Sequence, residues 1–228
     1  MKKRSKRYKE LEKFRNKDKK SEIKEIIELV KKNATGKFDE SIDVSLKINL
    51  KQSKGGDLSL RTIVKLPNGS GKKHKIAVLC EPAKIDEAKK SGAEIVGSDD
   101  LIEKISSGKF DFTKLVCTPS MMGKIGKHGK VLGPKGLMPN PKLGTVTNEV
   151  SKTVNDIKNG LTEIRNDKDG NLSCSIGRKS FSSDKIAENY KHFMDFLKKE
   201  KPDTIKGEFI KSIFITSTMG ISYKIGAK

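Results

Sequence analysis

A glycine- and lysine-rich stretch between Met121 and Thr147 is the part of the sequence best suited to contact an anion. It contains six glycines, three prolines and no acidic residue. Glycine lets another backbone come close, and proline fixes φ. A disordered basic linker is the alternative, but a linker has no need of the apolar pairs Val131–Leu132 and Leu137–Met138. We predict an ordered loop that faces an anionic partner through its lysines, which are Lys124, Lys127, Lys130, Lys135 and Lys142.

The spacing of these glycines does not match a nucleotide-binding motif. A P-loop needs Gly-x-x-x-x-Gly-Lys followed by Ser or Thr, but the sixth position is His128 counted from Gly123 and Pro134 counted from Gly129. The dinucleotide motif Gly-x-Gly-x-x-Gly also fails, because the first five glycines lie three or four residues apart. A nucleotide- or phosphate-binding enzyme therefore stays a second hypothesis, which stoichiometric binding of ATP or NAD would support.

No set of catalytic or metal-binding residues is apparent in the sequence. The adjacent Asp99 and Asp100 are explained as a helix cap, and no nucleophile elbow is present. There is no Cys-x-x-Cys pair, and the candidate metal ligands are scattered along the chain: Cys80, Cys117, Cys174, His74, His128 and His192. We therefore predict no enzyme activity, no cofactor and no metal site, and expect buried thiols in a reducing compartment.

The net charge of +20 and the isoelectric point of about 9.7 predict attraction to a polyanion. Nucleic acid and an anionic membrane surface are the candidates. No apolar run approaches the ~20 residues of a membrane span, so we expect a cytoplasmic protein without a membrane partner. Residues 1–20 hold eleven Lys or Arg against three Asp or Glu. They form either a solvated tail or a basic arm on phosphate, with Tyr8 and Phe14 available for stacking.

The two ends of the chain and its middle differ in hydrophobic pattern. Alternation of apolar and polar residues at the ends predicts strands with one buried face, together with amphipathic helices. The predicted elements there are helices at 21–33 and 184–199, capped by Ser21 and Ser183, strands at 42–48, 58–64 and 209–216, and a hairpin of strands 161–165 and 172–176 with its turn at 167–170. In the middle, strands at 75–80, 94–96 and 114–118 alternate with helices at 85–91, 99–105 and 150–157, which indicates βαβ units and a parallel sheet.

These patterns predict a fold of the α/β and α+β classes in two domains. Residues 1–67 and 159–228 would form a split α+β domain, an antiparallel sheet with helices on one face. Residues 68–158 would form an inserted α/β domain. The inserted part has a net charge of +6 and the remainder +14, so we expect the split domain to be the main polyanion binder.

Several motifs occur in an order that is typical of one family. The most specific runs from Ile125 to Val146 and includes Val131 to Lys142. Supporting motifs lie at Gly36 to Ser41, Arg165 to Gly170, Gly177 to Phe181 and Thr216 to Gly220. Over essentially its whole length the chain resembles the large-subunit ribosomal protein L-one family in its bacterial and organellar form. One departure is Ile221, where the family usually has proline, and Asp169 is interposed in the motif at Arg165 to Gly170.

The resemblance implies a structural RNA-binding protein with an inserted, Rossmann-like three-layer α/β domain. Its expected partners are the rRNA junction of the mobile stalk beside the tRNA exit site, exit-site tRNA, other ribosomal components and, for translational repression, its own mRNA leader. A protein that is monomeric when free, cytoplasmic and ribosomal is expected, or one of the organellar matrix if encoded for an organelle.

The family resemblance also implies which residues bind RNA. The expected RNA-binding residues are Lys37, Phe38, Asp39, Glu40, Ser41, Gly177, Lys179, Thr216, Ser217, Thr218, Met219 and Gly220, with the glycine/lysine stretch as a secondary RNA-facing element. Hydroxyls and bare backbone suit contacts to ribose, and Lys37 and Lys179 suit phosphate. Phe38 is either an apolar plate for RNA or a hydrophobic plug between helix and strand. We expect Asp39 and Glu40 to orient their neighbours or to accept 2′-hydroxyl hydrogen bonds. A non-specific basic nucleic-acid chaperone is the third hypothesis.

Overall fold

The computed structural model describes residues 4–15, 22–49, 60–108, 110–201 and 207–226. Its strands are β1 (Ser41–Ile48), β2 (Arg61–Lys65), β3 (Ile76–Leu79), β4 (Ile95–Gly97), β5 (Lys114–Cys117), β6 (Leu161–Arg165), β7 (Asn171–Arg178), β8 (Ile210–Ser217) and β9 (Tyr223–Ile225). Its α-helices are α1 (Lys6–Glu12), α2 (Ile23–Lys32), α3 (Ile85–Lys90), α4 (Asp99–Ser106), α5 (Pro119–Gly126), α6 (Gly129–Leu132), α7 (Val150–Lys158) and α8 (Ser183–Lys199). The predicted mixture of α and β structure is confirmed.

The chain divides into two compact units. The first unit contains Met1–Gly71 and Thr162–Lys228, and the second contains Lys72–Leu161. Compactness alone tests neither RNA binding nor independent folding, so the predicted division into an RNA-binding domain and an inserted domain stays a prediction.

The first unit is built around β1, the second strand of an antiparallel sheet with the order β7-β1-β8-β9. Alternate residues of β1 are buried, from Ile42 through Val44 and Leu46 to Ile48. Helices α2 and α8 pack together and against this sheet, and Ile27 and Phe193 are fully buried in the shared core. The alternation seen in the sequence thus becomes one apolar sheet face covered by helices.

The predicted hairpin of strands 161–165 and 172–176 is wrong. β6 pairs with β2 in a separate two-stranded sheet, while β7 pairs with β1. Only an isolated bridge joins Asn166 to Leu172. The Asn166 side chain accepts a hydrogen bond from the Leu60 backbone N–H at 2.6 Å, which ties the end of β6 towards the β2 side.

The second unit contains a parallel sheet with the strand order β4-β3-β5. All four residues of β3 are buried, because both faces of the sheet are covered. Ala77 and Leu79 belong to a cluster that includes residues of α4, α5 and α6, whereas Ile76 and Val78 pack with residues of α3 and α7. The predicted alternation of strands and helices in this region is confirmed.

The glycine/lysine stretch is not a continuous loop, contrary to prediction. It contains part of α5, all of α6 and a 3-10 turn at Pro141–Leu143. Met121, Ile125 and Leu132 are buried in the core of the second unit. Burial of an apolar side chain contributes about 1.5–3 kcal/mol, which outweighs the cost of the glycines in these short helices.

Predicted helix caps differ from the structure at two positions. Helix α8 is capped by Ser182 and not Ser183, since the Ser182 hydroxyl accepts a hydrogen bond from the Lys185 N–H at 3.4 Å. Ser98 makes no side-chain cap hydrogen bond at α4. Ser21 lies outside the described residues, as do Leu58 and Ser59 of the predicted second strand.

The three cysteines are free and buried, as predicted. Burial raises the pKa of the Cys117 thiol to about 11, so this thiol is protonated at neutral pH. Within the described ranges, no group of three or more His, Cys, Asp or Glu side chains could hold a metal ion. Nor does any described helix combine the length and the apolar character needed to cross a membrane.

Candidate nucleic-acid interface

The topology of the first unit brings three distant segments together at the start of β1. Since β1 pairs antiparallel with both β7 and β8, its first residues lie beside the last residues of those strands. Ser41 is opposite Arg178, and Ile42 is opposite Ser217. The segments 35–41, 177–181 and 216–220, which carry all the predicted primary RNA-binding residues, therefore meet at one end of the sheet.

Glu40 lies at the centre of this end of the sheet and is fully buried. Its Oε1 accepts a hydrogen bond from the Gly36 N–H at 2.5 Å, and its Oε2 accepts one from the Met219 N–H at 3.1 Å. Burial acts to raise the pKa of Glu40, but the nearby Ser217 hydroxyl, these two N–H groups and the Lys179 charge together lower the pKa. The Ser217 hydroxyl is buried near the carboxylate, but its position does not meet the geometry of a hydrogen bond. The carboxylate is thus held in its charged form.

Asp39 organises the segment that follows β7. Its carboxylate accepts the Ser180 N–H at 3.0 Å and the Ser180 hydroxyl at 2.9 Å. The Asp39 backbone carbonyl accepts a hydrogen bond from Arg178 at 3.2 Å, and Arg178 also donates to the Gly71 carbonyl at 2.9 Å. Asp39 and Glu40 therefore orient neighbouring segments, and the full burial of Glu40 leaves it no access to a ribose 2′-hydroxyl in this conformation.

Ser41 and Thr218 close the edge between β1 and the turn after β8. The Ser41 N–H donates to the Thr218 hydroxyl oxygen at 2.9 Å, and the Thr218 N–H donates to the Ser41 carbonyl at 3.1 Å. The turn continues with a hydrogen bond from the Gly220 N–H to the Ser217 carbonyl at 3.1 Å. These contacts hold the turn against the first strand without using the Met219 side chain.

The groups that point to solvent here are both apolar and basic. The side chains of Phe38 and Met219 are 53% and 48% exposed, which is unusual for large apolar residues, and Lys37, which precedes Phe38 in the sequence, is also exposed. The alternative role of Phe38 as a buried plug is wrong. An exposed ring and a thioether beside cations can contact bases and riboses while the cations meet phosphates.

Other predicted RNA-binding residues make contacts within the protein and are less exposed than Phe38 and Met219. Lys179 donates to the Ala34 carbonyl at 2.6 Å, and the Thr216 hydroxyl donates to the Ser217 carbonyl at 3.0 Å. Gly177 is buried, and a Cβ there would lie 3.3 Å from side-chain atoms of both Ile186 and Phe181. These residues shape the interface, and their direct contact with RNA stays a prediction.

Arg7 belongs to the same end of the first unit and was not predicted. Its Nη2 donates to the Met219 carbonyl at 2.9 Å, and its Nη1 donates to the Thr35 hydroxyl at 3.1 Å. Helix α1 brings it there, with Leu11 of that helix buried in the core. The only signal in the sequence was the high density of basic residues in 1–20, which does not single out one arginine.

The lysines of the predicted secondary element lie in the second unit and differ in their surroundings. Lys124 forms an ion pair with Asp99 at 2.7 Å, and the Lys135 ammonium lies 3.8 Å from the centre of the Phe110 ring. Lys127, Lys130 and Lys142 are exposed. Lys124 and Lys135 thus contact other side chains of the protein, and the three other lysines are the ones that this surface offers to an anion.

Known proteins resemble the chain over nearly its whole length. It is 54% identical over 223 residues to the large ribosomal subunit protein uL1 of Pelagibacter ubique (strain HTCC1062), covering 97% of this chain and 96% of the relative. It is 45% identical over 226 residues to the protein of the same name from Thermosipho melanesiensis, covering 99% and 97%. A model of the Ribosomal protein L1p/L10e family matches residues 30–221. The chain belongs to the Ribosomal protein L1p/L10e family.

Proposed function

We propose that the chain is a structural constituent of the large ribosomal subunit that binds rRNA at the mobile stalk beside the tRNA exit site. The names of its relatives, large ribosomal subunit proteins, support the first part. The observation that carries the second is the convergence of 35–41, 177–181 and 216–220 around buried Glu40, with Phe38 and Met219 left exposed. As a member of a ribosomal-protein family, the chain is a structural protein and not an enzyme, and in a bacterial cell it is cytoplasmic.

The proposed RNA-binding domain comprises residues 1–67 and 159–228, and the proposed inserted domain comprises 68–158. The compact units, which divide after Gly71 and after Leu161, support this division within a few residues. The higher positive charge of the split part favours it as the main RNA contact, because phosphate neutralisation dominates affinity for nucleic acid. Lys127, Lys130 and Lys142 provide a secondary contact from the inserted domain.

Binding of the stalk-junction rRNA, compared with a scrambled helix of equal length at fixed salt, tests the proposal. We expect a clear preference for the junction, because specificity requires more than phosphate contacts. Equal affinity for both RNAs, with a steep salt dependence, would instead support a non-specific chaperone.

The proposed site makes a prediction about the ranking of variants. Met219→Ala and Thr218→Ala should each weaken junction binding more than Lys130→Ala. Met219→Ala removes an exposed apolar side chain of the interface, and Thr218→Ala removes the hydroxyl that accepts the Ser41 N–H, whereas Lys130→Ala removes one exposed charge. The reverse ranking would move the main site to the inserted domain.

Two further roles follow from the same interface. We propose that the protein assists release of deacylated tRNA from the exit site and represses translation of its own mRNA. If the mRNA leader binds to the face that binds rRNA, the junction RNA will displace the leader in a competition assay. Simultaneous binding of both RNAs would contradict a shared site.

A further inference from the structure

The turn after β8 is held through both backbone polar groups of Met219, its N–H and its carbonyl. The Met219 N–H donates to Glu40 Oε2 at 3.1 Å, and the Met219 carbonyl accepts from Arg7 Nη2 at 2.9 Å. Both partners are charged groups, and hydrogen bonds to charged groups are stronger than neutral ones. The exposed Met219 side chain is therefore presented from a backbone that is fixed on both sides.

Glu40 and Arg7, which hold Met219, also both contact the segment of Thr35 and Gly36. Glu40 Oε1 accepts the Gly36 N–H at 2.5 Å, and Arg7 Nη1 donates to the Thr35 hydroxyl at 3.1 Å. Thus the segment of Thr35 and Gly36 is tied to Met219 twice, once through a buried carboxylate and once through a guanidinium at the surface. Lys37 and Phe38 follow this segment directly, so both exposed parts of the interface depend on the two ties.

Arginine is the side chain suited to the outer tie. Its planar guanidinium offers several N–H donors in a fixed fork, so one group can donate to two acceptors at once. The ammonium of lysine is a point charge without this fixed geometry. Helix α1 fixes the position of Arg7, since its N-cap Ser5 accepts the Tyr8 N–H and its Leu11 is buried.

We propose that Arg7 and Glu40 are positioning residues that clamp Thr35–Gly36 to Met219, and that α1 supports the RNA-binding face through Arg7. The inference rests on the proposed RNA-binding function. It extends the interface to a helix that lies before residues 30–221, the part matched to the family. The clamp predicts that geometry at Arg7 matters for binding, and not only its charge.

Three variants of the full-length protein separate geometry from charge. Arg7→Gln removes charge and fork, Arg7→Lys removes the fork alone, and Lys9→Gln removes one charge from an exposed position on the same helix. We expect Arg7→Gln and Arg7→Lys each to bind the stalk-junction rRNA about five- to tenfold more weakly than the unaltered protein, and Lys9→Gln to bind within about twofold. If Arg7→Lys binds as the unaltered protein does and Arg7→Gln matches Lys9→Gln, the clamp is wrong and Arg7 contributes only charge.

Amide hydrogen exchange of the RNA-free protein provides a readout that does not depend on RNA. The Met219 and Gly36 N–H groups should exchange faster in Glu40→Gln and Arg7→Gln, and at the unaltered rate in Lys9→Gln. Unchanged exchange at Met219 in Arg7→Gln would overturn the inference. Because Arg7 lies near the surface, its variants keep the test valid even if Glu40→Gln fails to fold. If the unaltered protein shows no preference for the junction RNA, the proposed function is refuted. The exchange rates would still show whether Arg7 and Glu40 hold Met219.

Discussion

Asp39 accepts two hydrogen bonds from Ser180, one from its backbone N–H at 3.0 Å and one from its hydroxyl at 2.9 Å. The two residues are 141 positions apart in the sequence, so this pair fixes the segment after β7 against the segment before β1. A carboxylate at a surface proposed to bind RNA is electrostatically unfavourable by itself, and its structural role explains why it stands there.

Asp39→Ala provides a test in which electrostatics and positioning predict opposite signs. Removal of a negative charge alone should strengthen RNA binding slightly, whereas loss of the Ser180 contacts should weaken it by about fivefold. Affinity for the stalk-junction rRNA is the measurement. Asp184→Ala is the matched control, since Asp184 is an exposed carboxylate of the first unit paired with Lys24 at 2.9 Å on its surface. Tighter binding by both variants would show that Asp39 has no positioning role.

The ionised state of Glu40 predicts how stability depends on pH. Its pKa in the folded protein is below the ordinary value of 4.5, because the hydrogen bonds and Lys179 outweigh burial. Between the two pKa values the unfolded chain therefore binds more protons than the folded protein. The contribution of the Glu40 carboxylate to stability is complete above the ordinary pKa and is lost as pH falls through the folded pKa. We expect Glu40→Gln to reduce the free energy of unfolding by about 2 kcal/mol at pH 7 and by much less at low pH.

Denaturant unfolding of both proteins across this acidic range measures the effect. The lowered pKa values of Asp167 and Asp184 contribute equally to both proteins and cancel in the difference. A difference in unfolding free energy that stays constant with pH would contradict a charged Glu40.

Gly220 and Ser217 form a close pair within the turn after β8. A Cβ added at Gly220 would collide with the buried Ser217 hydroxyl, whereas the Ser217 Cβ would be at 3.5 Å, an ordinary contact distance. Gly220→Ala should therefore destabilise the protein by about 1–2 kcal/mol. In a protein that already carries Ser217→Ala, the obstructing hydroxyl is gone, so adding Gly220→Ala should lower the free energy of unfolding much less than it does in the unaltered protein. Additive destabilisation in this double-mutant cycle would show that the hydroxyl is not the obstacle.

Local sequence patterns were sufficient for most secondary structure, because burial follows local periodicity. Ile42, Val44 and Leu46 alternate and are buried as one face of β1. The pattern failed at α5, where glycines every third residue concealed the buried pair Met121 and Ile125. Strand pairing was also beyond local patterns, since a turn at 167–170 indicates that the chain reverses but does not specify which neighbour β6 chooses.

The candidate site could be predicted as a set of residues but not as a structure. Motifs identified Glu40 and Met219, and nothing in the sequence shows that they share a hydrogen bond across 179 positions. Arg7 is a stronger example, because it contacts Met219 across 212 positions and lies in a region described only by its charge. Such contacts result from strand order, which long-range packing determines.

Two exposed glycines in the second unit allow backbone conformation to be tested apart from packing. A Cβ added at Gly123 or at Gly136 would have no neighbouring atom within 4 Å. Gly123 is inside α5, whereas Gly136 has a φ of 67°, in the left-handed region. Gly123→Ala should stabilise the protein by about 0.5–1 kcal/mol, because alanine favours the helix and restricts the unfolded chain. Gly136→Ala should destabilise it by about 1 kcal/mol, because a side chain is strained at positive φ. Thermal unfolding of the two variants should shift the midpoint in opposite directions, and a shift in the same direction would mean that packing and not backbone conformation decides stability at these positions.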